Sequence, residues 1–96
     1  GQQNKHYSPN IPMRINVNEV FDGEALLNFG SNNLNSNKIE LNLSLSADLK
    51  EAARNFFDYL HRLDNIKYKG IAVAPIPLTG LGKTINDRLT RAIAKQ

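Results

Sequence analysis

The chain has no cysteine and no tryptophan, and a single methionine among 96 residues. Without thiols it forms neither disulfides nor Cys-type zinc sites, a composition that fits a cytoplasmic protein. Long hydrophobic runs are missing as well. No stretch of about 18 apolar residues occurs, so no segment reads as a membrane span, and the polar first ten residues do not read as a signal peptide. A strong charge imbalance is also lacking: twelve Lys and Arg against nine Asp and Glu leave a net charge of +3. Nucleic-acid modules concentrate their cations more densely than that. The histidines are His6 and His61 alone, and neither has the Ser, Cys or Glu neighbours that specify a triad or a zinc motif. What remains is one small domain, burying about 60–65% of its unfolded surface.

Residues 1–12 carry two prolines and no periodicity, and read as an extended arm. Met13, Ile15 and Val17 then alternate with Arg14, Asn16 and Asn18, the period-two pattern of a half-buried strand. After a turn at Asp22-Gly23, residues 25–29 form a short apolar run that predicts a deeply buried strand. The Asn- and Ser-rich stretch 30–38 reads as a loop, because such side chains bond locally to the backbone. Ile39, Leu41 and Leu43 alternate again. Leu49, Ala52, Ala53, Phe56, Leu60 and Leu63 fall on one stripe of a helix over 48–64, with Asp48 and Glu51 spaced for a capping box and Ser46 as the competing cap. On its outer face Glu51, Arg54, Asp58 and Arg62 alternate in sign at ion-pair spacing. His61 has Asp58 and Asp64 one turn away on either side, and the pattern predicts a surface ion pair with one of them.

A nearly continuous apolar strand over 71–76 predicts burial on both faces, and Pro75 implies that its ladder stops, or that the strand has a free edge, just before the glycine turn. A helix over 83–95 follows, with Ile85, Leu89, Ala92 and Ile93 inward and Arg88, Arg91 and Lys95 outward. Strand 39–44, helix 48–64, strand 71–76 and helix 83–95 make a βαβα unit with parallel strands and a right-handed connection. The expected fold is a small Rossmann-like α/β sandwich of two or three layers, with three to four mostly parallel strands and two main helices.

The turn Gly80-Leu81-Gly82 is the one place that invites a phosphate. Gly82-Lys83-Thr84 matches the end of a Walker A loop, but Pro77 stands where the pattern needs its first glycine. Proline offers no N–H to a phosphate. Ile85 occupies the third glycine position of a dinucleotide fingerprint. A structural turn is the better reading, with anion binding at the helix start as the other.

Asn42-Leu43-Ser44, Asp48-Leu49-x-Glu51-Ala52-Ala53-x-Asn55-Phe56-Phe57, Leu60-x-x-Leu63-Asp64, Ile71-Ala72-Val73, Ile76-Pro77, Gly80-Leu81-Gly82 and Ile85-Asn86-Asp87-Arg88-Leu89-x-Arg91-Ala92 occur in this order. Together they resemble the C-terminal domain of threonylcarbamoyl-AMP synthase, in its long form, where a linker joins a YrdC-like catalytic domain to a smaller α/β domain. His6-Tyr7-Ser8-Pro9 is similar to the His-Tyr-x-Pro of that linker. The resemblance implies a linker arm over residues 1–12 and a C-terminal α/β domain over 13–96. It also implies that the parent enzyme is a nucleotidyltransferase that joins L-threonine, bicarbonate and ATP (with Mg) into threonylcarbamoyl-AMP for tRNA modification. The catalytic residues would lie in the YrdC-like domain, so none is expected here, nor any metal ligand or cofactor.

By the same resemblance, His6 and Tyr7 would face the substrates, ATP and L-threonine, with Pro9 setting the loop. Gly80, Gly82, Asn86, Asp87 and Arg88 would be structural or interdomain residues, and tRNA would be met only indirectly. Gln2, Gln3 and Asn4 depart from the family linker, and the basic residue missing at Gln3 argues against phosphate contact there. The stretch 18–38 looks shortened, so an extra helix of some members is expected to be absent. A different class of function is a stand-alone nucleotide- or RNA-binding module using residues 80–83 and the cations Arg88, Arg91 and Lys95. A purely structural domain that promotes solubility or dimerisation is a third.

Overall fold

A computed structural model describes residues 7–96. Its elements are β1 (Met13–Arg14), β2 (Glu24–Asn28), β3 (Glu40–Asn42), α1 (Leu49–Leu63), β4 (Gly70–Val73) and α2 (Leu81–Ala94). The strands form one sheet in the order β1-β4-β2-β3, and every neighbouring pair is parallel. The fold is thus α/β, with β2 inserted between the two strands of the βαβα unit. No helix stands between residues 18 and 38, as expected from the shortened stretch.

Register places Met13, Ala25 and Ile71 in one row and Arg14, Leu26 and Ala72 in the next, so the rows alternate between the two faces. The first face, with Leu27, Leu43 and Val73, packs against Ala52, Phe56, Leu60 and Leu63 of α1 and Ile85, Leu89 and Ala92 of α2. Each large apolar side chain buried here contributes about 1.5–3 kcal/mol. On the back, Leu26 and Ala72 are covered by Val17, Val20 and Leu34 from loops. Of the two layerings open from sequence, the structure takes two layers with a loop strap, since both helices lie against the same core.

Three local expectations are corrected. The first strand is regular only over Met13–Arg14: Asn16, at φ +55°, interrupts it, and Val17 rejoins β4 by donating to the Val73 carbonyl at 3.1 Å, with its side chain in the back cluster. The capping box does not close. Asp48 caps α1 by accepting from Lys50 N–H, but Glu51 accepts from the Ser44 hydroxyl at 2.6 Å, and that hydroxyl in turn accepts Asp48 N–H. The last helix begins at Leu81, so Gly82 is already helical and the turn is tighter than its sequence implies. The last strand, expected over 71–76, runs Gly70–Val73 between β1 and β2, so it has no free edge; of the two readings of Pro75 the ladder's end holds, since the last bond is Ala74 N–H to the Leu27 carbonyl.

Candidate functional site

The residues leading into β1 are fastened to the domain by groups distant in sequence. Pro9, Ile11 and Met13 are buried, and the Pro12 carbonyl accepts Ile71 N–H at 2.8 Å. Asp64, the C-cap of α1, accepts Asn10 N–H at 3.0 Å and Ile11 N–H at 3.2 Å on Oδ1. Its Oδ2 accepts the Tyr7 phenol at 2.6 Å. Gln96 donates from Nε2 to the Ile11 carbonyl at 2.6 Å and the Pro9 carbonyl at 3.2 Å, and accepts Met13 N–H at 3.1 Å. One carboxylate and one carboxamide therefore hold five backbone groups and a phenol.

Tyr7 and Ser8 are held through their side chains. Both are half-buried. The Ser8 hydroxyl donates to the Ala92 carbonyl at 2.9 Å, and the Tyr7 ring stacks on His61 with centroids 4.1 Å apart. Burial first, then the Asp64 hydrogen bond and the nearby carboxylate charge, push the Tyr7 phenol well above its ordinary pKa. The His61 ion pair expected from sequence does not form. Its Nδ1 lies 2.7 Å from the Phe57 carbonyl, Asp58 pairs with Arg62 at 3.2 Å, and Asp64 is occupied by the arm. His6 lies outside the described residues. Ser8, Pro9, Asn10, Pro12, Lys95 and Gln96 rim an open groove of about 450 Å³.

The other candidates stand at the opposite end of the helices. Gly80 caps α2 with φ +53° and open space around its Cα. At Gly82 any Cβ would run into the Pro77 carbonyl oxygen, so the strand exit and the helix approach there backbone to backbone. Asn86 fastens this corner, donating to the Ile76 carbonyl at 2.9 Å and the Gly82 carbonyl at 2.8 Å. Gly82 N–H and Lys83 N–H donate to the Thr79 and Gly80 carbonyls, so two amides that a phosphate loop would offer are used locally. Asp87 pairs with Arg91 at 3.2 Å, and the Arg88 guanidinium lies 5.1 Å from the Phe57 ring centroid. With Asp87 set among the cations, this face offers a phosphate less than its arginine count implies.

Sequence reading singled out Tyr7 and Pro9, offered Asp64 only as an ion-pair partner for His61, and passed over Gln96. A signal for Asp64 existed: an acid at a helix C-terminus meets the negative end of the dipole and needs donors to offset it. Nothing in the sequence marked Gln96. Among the described residues no three His, Cys, Asp or Glu side chains gather as a metal site, and no helix is long and apolar enough to cross a membrane. The geometry is that of an anchored arm. A family model described as threonylcarbamoyl-AMP synthase, C-terminal domain, matches residues 1–94. No curated protein and no solved structure matches the chain.

Proposed function

From the premise that this chain belongs to the family of threonylcarbamoyl-AMP synthase C-terminal domains, we propose that it is an accessory domain whose arm closes the active site of a YrdC-like catalytic partner domain. That partner would join L-threonine, bicarbonate and ATP into threonylcarbamoyl-AMP, releasing pyrophosphate and water, in the service of tRNA modification. ATP and its magnesium are assigned to the partner, and no residue of 13–96 is given a catalytic role.

The observation that supports this reading is the graded attachment of the arm. Residues 9–13 are bound to the domain by burial and by backbone bonds to Asp64 and Gln96, whereas the half-buried Tyr7 and Ser8 are bound through their side chains, Tyr7 by its Asp64 hydrogen bond and its stack on His61 and Ser8 by one hydrogen bond. A segment fixed at one end by backbone bonds and at the other by side-chain contacts that can be exchanged suits a lid. An ordered lid excludes water and holds reactants, which would protect a mixed anhydride from hydrolysis. His6 and Tyr7 are the residues such a lid would present to substrates, with Pro9 as its rigid base.

The test is an NMR titration of the isotope-labelled chain with separately produced catalytic domain, with and without ATP and threonine. Shifts that need both ligands and concentrate at residues 5–10 are expected. An arm that stays unchanged while ATP alone shifts residues 80–83 would replace this reading with the nucleotide-binding module.

A further inference from the structure

The anchoring of the arm limits where the active site it serves can stand. The buried residues Pro9, Ile11 and Met13, the Pro12–Ile71 backbone bond and the joint grip of Asp64 and Gln96 tie residues 9–13 into the sheet and both helix ends. Movement of the arm therefore begins before Pro9. Tyr7 is two residues away, and two extended residues span at most about 7 Å.

This anchor lies at a definite end of the domain. α1 runs from the carboxyl end of β3 to the amino end of the parallel β4, so Asp64 marks the amino end of the sheet. Gln96 sits there too, since it bonds Met13 at the start of β1. The Gly80 turn follows the exit of β4 and lies at the carboxyl end, with the exposed Leu78 beside it. Helices of 15 and 14 residues separate the two ends, or about 20 Å at 1.5 Å per residue. A Tyr7 tethered at Pro9 does not cross that distance.

We infer that the catalytic partner domain docks on the amino end of this domain, with the mouth of its active site facing the groove rimmed by Ser8, Pro9, Asn10, Lys95 and Gln96. The inference rests on the closing-arm reading and adds the face to it. Asn10, Pro12, Lys95 and Gln96 are exposed, and undocking Tyr7 would bare the face of the His61 ring. The turn at Gly80, Gly82 and Asn86 would then be a packing corner remote from the interface.

The absence of cysteine makes the test clean, because each introduced thiol is unique. Nitroxide labels are placed at Lys95→Cys and, separately, at Leu78→Cys. Signals of isotope-labelled catalytic domain are then recorded with the unlabelled 96-residue chain, ATP and threonine, and shifts at Tyr7 and Ser8 are followed in a parallel sample. Loss of active-site signals from the label at 95, and none from the label at 78, is the expected result. Loss from the label at 78 instead, or opening of residues 9–13 together with Tyr7, would overturn the docking face while leaving the closing arm in place. No ligand-dependent shift at Tyr7 would remove the closing-arm reading, and this inference with it.

Discussion

Arg14 and Glu24 meet on the back of the sheet as a two-point ion pair, with Nε and Nη2 of the guanidinium each 2.8 Å from a carboxylate oxygen. The carboxylate also accepts Phe21 N–H at 2.8 Å, and the guanidinium lies 3.8 Å from the Phe21 ring centroid. Hydrogen bonding to Arg14, opposed by burial and reinforced by Phe21 N–H and the arginine charge, holds Glu24 below the usual carboxylate range. A carboxylate with a lowered folded pKa stabilises the fold above its unfolded pKa of about 4.3, and that contribution disappears as pH falls through the lowered value. Glu24→Gln is expected to cost about 1–2 kcal/mol at neutral pH, a figure reduced for Arg14's partial exposure to solvent. Urea unfolding at a series of pH values checks this. The gap between variant and parent should narrow below about pH 4, and equal stability at neutral pH would refute the pair's contribution.

The contact of Gly82 with Pro77 separates two glycines that look alike in sequence. A methyl at Gly82 collides with the Pro77 carbonyl oxygen, which is backbone and has nowhere to move, and also presses on Leu49 at 3.3 Å. Gly80 has open space and carries only the conformational demand of φ +53°. Gly82→Ala should therefore cost about 2–4 kcal/mol and Gly80→Ala about 1–2 kcal/mol. Paired denaturant titrations measure the difference, and a reversed order would mean that α2 does not approach the strand exit this closely.

The helices and the end of the last strand are legible in the sequence because their signals are local. The stripe of Ala52, Phe56, Leu60 and Leu63 repeats within one element and is buried as a unit, and Pro75 stops its own ladder. Strand order is not legible, because burial of all five residues of β2, including Glu24 and Asn28, shows only after Arg14, Asn32 and Glu40 supply partners. Asn16 breaks the period-two pattern through its backbone, which a count of apolar residues does not register. The site is hidden for the same reason: Tyr7 and Asp64 are 57 residues apart, and neither names the other.

Ser44, buried at the exit of β3, connects the strand to α1. Its hydroxyl accepts Asp48 N–H at 2.9 Å and donates its one proton to Glu51 at 2.6 Å, with the Ser46 hydroxyl 3.3 Å away on the remaining side. Ser44→Ala removes both bonds at once, leaving Asp48 N–H and the Glu51 carboxylate without this partner, and should cost about 1–2 kcal/mol. Hydrogen exchange should show the first turn of α1 loosening ahead of the core, with the amides around residue 48 most affected. Loosening confined to the last turn of α1 would contradict the role given to Ser44.

Tyr7 reports the state of the arm through its own titration. The neutral phenol is the form that the docked arm favours, because burial and the Asp64 carboxylate both oppose a phenolate. Its contribution is complete below the ordinary tyrosine value of about 10 and is lost as pH rises through the raised folded value. In the absence of partner and ligands, Tyr7 should undock from His61 and Asp64 only in strongly alkaline solution, while Asn10 N–H and Ile11 N–H, whose bonds to Asp64 need no phenol, stay protected until the domain itself opens. Asp64→Asn keeps an acceptor but removes the charge, so it should bring the Tyr7 titration back toward the ordinary range. Ring carbon shifts of Tyr7, followed against pH in parent and variant, distinguish the outcomes. Titration at the ordinary value in both proteins would show that the phenol does not rest on Asp64, and the arm would then lack the catch on which its opening and closing depend.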